Sequence, residues 1–235
     1  MHTVIAEVQA ATAGDLLTPT AEIHLELNLA FKHFNTSLFD DRLPTAIVTL
    51  VQRRGRVRGH FAAERFERRN GSEVRDEIAL NPRHFKDRTP VAILSTVAHE
   101  MVHLEQHHFG RRRPRSAWHG REWADDMERI GLIPTDTGLP GGKRTGRDVT
   151  HIVKPGGRFW VAAKALLDSG GVRMDWVHRE WVAEPSFGEL KAAALSGKRV
   201  KYWCPTCPPG DETAVWGRHG QHVMCGRCRR PLNAS

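Results

Sequence analysis

Two histidines four residues apart with a glutamate between them, His99-Glu100-Met101-Val102-His103, have the types and spacing of a metal-dependent hydrolase. On an α-helix, residues four apart lie one turn apart on one face, so both imidazoles reach one ion. Glu100 sits beside them, close enough to act on a metal-bound water without being a ligand. A catalytic zinc takes three protein ligands and keeps one position for water. His107 continues the series, but it lies roughly 12 Å beyond His99 along an unbroken helix. The compact extended motif fails as well, because Gln106 and Phe109 stand where glycine and histidine are required. The best remaining third ligand is His119, in Trp118-His119-Gly120, with His107 and His108 as surface or supporting groups. The expected chemistry is peptide hydrolysis. Zinc would lower the pKa of its water towards about 7 and polarise the carbonyl. Glu100 would take the proton and pass it to the departing amine. No histidine or arginine can be chosen to stabilise the oxyanion, and the single tyrosine, Tyr202, is remote in sequence.

A second metal signature lies near the C-terminus. Cys204-Pro-Thr-Cys207 and Cys225-Gly-Arg-Cys228 are separated by 17 residues, which is the spacing of a zinc ribbon. Four thiolates close a tetrahedral site, so this zinc is structural. Basic residues, among them Lys201 and Arg218, and the aromatics Trp203, Trp216 and Tyr202 surround the cysteines. Cations interleaved with stacking platforms suit single-stranded nucleic acid. The competing reading makes these aromatics the module's own small core.

The catalytic residues need elements to hold them. Thr18-Pro19 predicts a helix start, and Ile23, Leu27, Ala30, Phe34 and Leu38 recur at helical spacing as a core stripe. Strand-like runs follow at 45–51, 57–66 and 77–80, with Asn70-Gly71 as a turn between the last two, and predict a short antiparallel meander. Thr89-Pro90 starts the helix that carries the histidine pair, and Gly110 stops it. Its buried side is Ile93, Leu94, Val97, Met101 and Leu104. A third helix runs from about Gly120 to Ile130 and is closed by Gly131. Residues 132–157, rich in Gly, Pro and Thr, read as a long loop that covers the cleft or contacts nucleic acid, and 158–170 as a further helix.

The 235 residues carry a formal charge of +8, which points to a polyanionic partner. Arginines cluster at 53–69 and 111–115, where Arg111, Arg112 and Arg113 are candidate nucleic-acid contacts. Lys143, Arg144 and Arg147 form a third group. Arginine's planar fork suits phosphate. No run of eighteen apolar residues exists and the N-terminus makes a poor secretion signal, so a cytoplasmic protein with no membrane association is expected.

In these motifs the sequence resembles the SprT-like metallopeptidases, the family that includes the DNA–protein crosslink protease Spartan. The resemblance rests on the opening helix ending Phe34-Asn35-Thr36-Ser37-Leu38-Phe39 and on Gly59-His60-Phe61. It continues through Ile78-Ala79-Leu80-Asn81-Pro82, His99-Glu100-Met101-Val102-His103 and His119-Gly120-Arg121-Glu122-Trp123. The trailing ribbon matches bacterial and phage-type members. The resemblance implies an α+β, zincin-like metallopeptidase core of helices packed on a short antiparallel sheet, with a small C-terminal zinc ribbon. It implies His99, His103 and His119 as ligands of a catalytic zinc and Glu100 as catalyst. It also implies DNA, single-stranded or junction-containing, as partner, and DNA-bound or DNA-crosslinked protein as substrate. The corresponding division is a flexible arm at 1–17, a core at 18–135, a connecting segment at 136–198 and the ribbon at 199–235. Two other functions fit the residues: a nucleic-acid-binding zinc protein without proteolytic activity, and a peptidase with no DNA role.

Overall fold

The computed structural model describes residues 18–111, 118–179, 199–207, 214–218 and 221–234. The side chains of 199, 200, 218 and 234 lie outside that description, as do the N-terminal arm and residues 180–198 of the connecting segment. The chain divides into two compact units after residue 183.

The first unit opens with α1, Pro19–Leu38, whose N-cap Thr18 accepts from the Ala21 amide with proline at the first helical position. Leu27, Ala30, Phe34 and Leu38 are fully buried, as their spacing requires. Three strands follow: β1 (Ile47–Leu50), β2 (Gly59–Glu67) and β3 (Val74–Leu80). They do not form the expected antiparallel meander. The order is β1-β3-β2, with β1 parallel to β3 and β2 antiparallel to it. The link at 51–58 passes β3's position and needs to span only two strand spacings, about 10 Å. Asn81 holds that link in place, donating to the Arg53 and Val57 carbonyls at 2.8 Å each. The central strand β3 is consequently the most buried, and β1 and β2 are the edges.

Helix α2, Pro90–Phe109, has Thr89 as N-cap and Gly110 as C-cap. Helix α3, Arg121–Ile130, ends at Gly131, whose φ of +90° is the left-handed conformation that glycine adopts without strain. The expected long loop at 132–157 is instead a hairpin. Strand β4 (Leu132–Thr135) pairs antiparallel with β5 (Thr150–Val153), and the stretch between them is irregular. Each strand is four residues long, too short to stand out beside so many glycines and prolines. Helix α4, Arg158–Asp168, then returns to the core. Residues 172–179 form no regular element but are tied to α1, where the Glu26 carboxylate accepts from the Arg173 and Met174 amides at 3.1 and 3.0 Å. One core unites these parts: Phe34 of α1, Ile78 of β3, Met101 of α2, Trp123 of α3 and Phe159 of α4 are all fully buried.

In the second unit, β6 (Arg199–Trp203) lies between β7 (Ala214–Arg218) and β8 (Asn233–Ala234), antiparallel to both. Its small core is Tyr202, Cys204, Cys225 and Leu232. Among the described residues no helix is long and apolar enough to cross a membrane.

The Phe159 ring packs 5.4 Å from that of Phe34. Truncation of a fully buried phenylalanine costs about 3–5 kcal/mol. Phe159→Ala is therefore expected to lower the urea midpoint of the first unit by that equivalent, marking α4 as part of its core. An unchanged midpoint would show α4 to be an appendage.

Candidate metal centre

Helix α2 is buried along most of its length, and its polar side chains point into the molecule with its apolar ones. His99 is 9% exposed and Glu100 5%. His103 lies one turn on, and its ring is 5.2 Å from that of His99. His119 comes from the segment just ahead of α3, where a two-way backbone bridge to Gly146 (2.8 and 3.0 Å) holds it. Its ring lies 5.4 Å from His99 and 4.9 Å from His103. The three residues offer nitrogen atoms that all lie within 4.8 Å of one another. Trp123, on the first turn of α3, forms the floor. Its ring is stacked 5.4 Å from His103 and stands edge-on, 4.3 Å from His119.

Burial, first, and the neighbouring rings second, push His99 well below the ordinary histidine range and His103 down to about 3. His119 is lowered by the same burial, opposed by its bond to the Gly146 carbonyl. All three are therefore neutral at physiological pH, the form in which imidazole binds metal. His119 Nδ1 lies 3.2 Å from the Gly146 oxygen and donates to it, which leaves Nε2 as the ligand atom. Three neutral imidazoles whose nitrogens lie this close together are a donor set that zinc accepts, and they fit that ion.

Glu100 belongs to the same turn but faces β2. Its carboxyl is pushed up to about 8 by burial, against the pull of the Phe61 amide that donates to it. A dication at the imidazoles would favour the charged carboxylate. Gly59 makes this approach possible. A Cβ there would meet Thr96 Cγ2 at 2.8 Å, the Ala79 oxygen at 3.0 Å and Glu100 Oε1 at 3.1 Å. Gly59-His60-Phe61 is thus a stretch of edge strand laid directly against the candidate base.

His107 and His108 stay outside the centre. His107 packs on Phe61, and His108 Nε2 bonds Asp76 Oδ2 at 2.7 Å. One histidine absent from the sequence-based assignment does reach it. His151, on β5, places Nδ1 3.1 Å from His99 Nδ1 and Nε2 2.8 Å from Ser95 Oγ. The only signal in the chain was the β-branched run Thr150-His151-Ile152-Val153, which reads as a strand but not as chemistry. Arg58 donates to Thr150 at 3.2 Å, and its charge is felt at both His99 and His151.

The four cysteines also converge. All four sulfurs lie within 4.8 Å of one another, with Cys204–Cys228 at 3.3 Å and Cys207–Cys225 at 3.8 Å. Tetrahedral zinc with bonds of about 2.3 Å places its sulfurs about 3.8 Å apart, so the set fits. None of these cysteines is in a disulfide. The surrounding aromatics divide between the two readings. Tyr202 is 2% exposed and accepts from the Gln221 amide, so it belongs to the module's core. Trp203 and Trp216 are 42% and 62% exposed, and Trp216 is the cross-strand partner of exposed Lys201.

Among the basic clusters, several members are engaged within the chain. Arg144 pairs with Asp125 and Glu128, and Arg68 with Glu73. Arg53, Arg54 and Arg56 are exposed on the 51–58 link. Arg111 is exposed, and its amide donates to Glu122. Arg112, Arg113 and the Arg218 side chain lie outside the described residues.

The family model described as SprT-like matches residues 27–143, which include all four residues of the histidine–glutamate cluster. A protein described as an uncharacterized protein in the mucB 3′ region, from Salmonella typhimurium, is 40% identical over 60 residues. Those residues are 26% of this chain and 80% of that protein. No solved structure matches. On the family match and on this relative, the chain belongs to the SprT-like family.

Proposed function

We propose that this chain is a zinc-dependent metalloprotease that acts on DNA-bound or DNA-crosslinked proteins. The observation that carries the reading is the meeting of three neutral imidazoles from two parts of the chain, with the Glu100 carboxylate buried beside them. His99, His103 and His119 would hold the zinc ion, which would supply Lewis-acid activation of the scissile carbonyl and of the attacking water. Glu100 serves as general base, taking a proton from the attacking water and delivering it to the departing amine. The Phe61 amide and the close passage of Gly59 hold its carboxylate in place for both transfers. Strand β2, an edge of its sheet, offers main-chain pairing to an extended peptide beside that carboxylate. A zincin-like core is consistent with this placement of helix and edge strand.

The second zinc, at Cys204, Cys207, Cys225 and Cys228, is structural and holds the ribbon together. The DNA half of the proposal draws on the charge of +8 and on the exposed Trp203 and Trp216 beside Lys201. Stacking on such rings is tolerant of sequence and suits single strands. The arginines at 111–113 and Arg218 add basic contacts to the same partner.

Wild-type protein and Glu100→Gln, each incubated with a DNA-binding protein with and without single-stranded DNA, test the reading. Wild type is expected to cut, to stop cutting under a zinc chelator, and to cut faster with DNA. Loss of a general base costs about 100-fold or more, so Glu100→Gln should be nearly inert. Equal cutting by both variants would remove Glu100 from the mechanism. No cutting by either, with DNA binding intact, would favour a zinc protein that only binds nucleic acid.

Trp216→Ala is expected to weaken binding of single-stranded DNA by about 5- to 100-fold, as loss of one stacking platform does. Wild-type affinity should also fall steeply with added salt. Cleavage that ignores DNA, together with unchanged binding by Trp216→Ala, would leave a peptidase with no DNA role.

A further inference from the structure

We propose that the segment from Gly146 to His151 is the outer support of the metal centre, with His151 fixing the tautomer and ring orientation of His99. The proposal rests on the three-histidine metal site and assigns work to a stretch that no catalytic motif includes.

The argument turns on where single protons can sit. His99 Nδ1 and His151 Nδ1 are 3.1 Å apart, so one of the two nitrogens carries the proton between them. Which one is decided further along the chain of bonds. His151 Nε2 lies 2.8 Å from Ser95 Oγ, and the Ser95 hydroxyl donates to the Ala92 carbonyl at 2.8 Å. A hydroxyl has one proton to give, so Ser95 accepts from His151. His151 is then protonated on Nε2, with a lone pair on Nδ1. That lone pair accepts from His99 Nδ1, and His99 keeps its own lone pair on Nε2. The reverse order would put a proton on His99 Nε2 and close it to a metal.

The placement follows from the elements. Ser95 and His99 are one turn apart on the same face of α2, and β5 lays the His151 ring across both. Ser95 is 2% exposed, so no solvent competes for its bond. At the other end of the segment, the Gly146 carbonyl accepts from His119 Nδ1 and its backbone bridges His119 in both directions. Gly146 has φ +146°, a conformation that L side chains rarely adopt. Two of the three candidate ligands are thus held from behind by residues five positions apart, Gly146 and His151. Outer partners of this kind orient the imidazole and raise its basicity, and their loss costs about 10- to 100-fold in metal affinity.

The test uses the full chain titrated with cobalt(II), competed against a chelator. The thiolate site is recognised by sulfur-to-metal charge-transfer absorption, and the histidine site by its weaker bands without it. His151→Phe keeps the ring's bulk and removes the acceptor. It is expected to weaken the histidine site by about 10- to 100-fold and to leave the cysteine site unchanged. His151→Asn places an amide oxygen close to the lost Nδ1 and is expected to recover most of that affinity. Both variants should melt as wild type does if the effect is local. Wild-type affinity in His151→Phe would overturn the proposal, as would His151→Asn binding no better than His151→Phe while folded. His103→Ala serves as the control. If it kept the non-thiolate band at full strength, the three-histidine site itself would fall, a different failure from that of His151.

Discussion

A buried helix that carries ionisable side chains inward must find a partner for each of them, and the first unit is arranged around that requirement in α2. Burying a polar group without a partner costs about as much as a core cavity. The rest of the unit supplies those partners one element at a time. Strand β2 gives the Phe61 amide to Glu100, and β5 gives His151 to both Ser95 and His99. The turn after α1 and the end of α3 give Arg42 and Arg129 to Glu105, a carboxylate 3% exposed. Arg88 reaches Thr96 at 3.1 Å. The same contacts that make the helix tolerable inside the protein set the positions of the groups that would do chemistry.

This explains why the centre draws on so many parts of the chain. His99, Glu100 and His103 need only one helix, and His119 needs a second segment folded back on it. Holding His119 in turn takes Gly146 from the turn of a hairpin, and holding His99 takes His151 from that hairpin's second strand. Gly59 lets β2 run close enough for its neighbour's amide to reach Glu100. A side chain at that one position would push either Thr96 or the carboxylate aside.

The helices were readable in advance because their ends are written in single residues. Thr18-Pro19, Thr89-Pro90 and the glycines 110 and 131 act locally, through caps and left-handed turns that need no knowledge of the rest of the fold. The histidine–glutamate cluster was readable for a similar reason, since helical spacing alone puts three of its four members together. The sheet order was not. Whether β1 pairs with β2 or β3 depends on the path of residues 51–58, fixed by the Asn81 side chain from beyond β3. Glycine and proline signals masked the short strands β4 and β5. His151, a lone histidine without a spaced partner, carried no local sign of its role. In the second unit, alternation along β6 separates the two rings: Tyr202 faces the core and Trp203 the solvent.

The most direct test of the central claim, a metal on His99, His103 and His119 together with one on the four cysteines, is X-ray absorption at the zinc edge of the zinc-loaded full chain. The account predicts a mixed first shell. Nitrogen at about 2.0–2.1 Å, with the outer scattering of imidazole rings, should appear beside sulfur at about 2.3 Å. A shell of sulfur alone, at one zinc per chain, would contradict it and leave the histidine cluster without its metal.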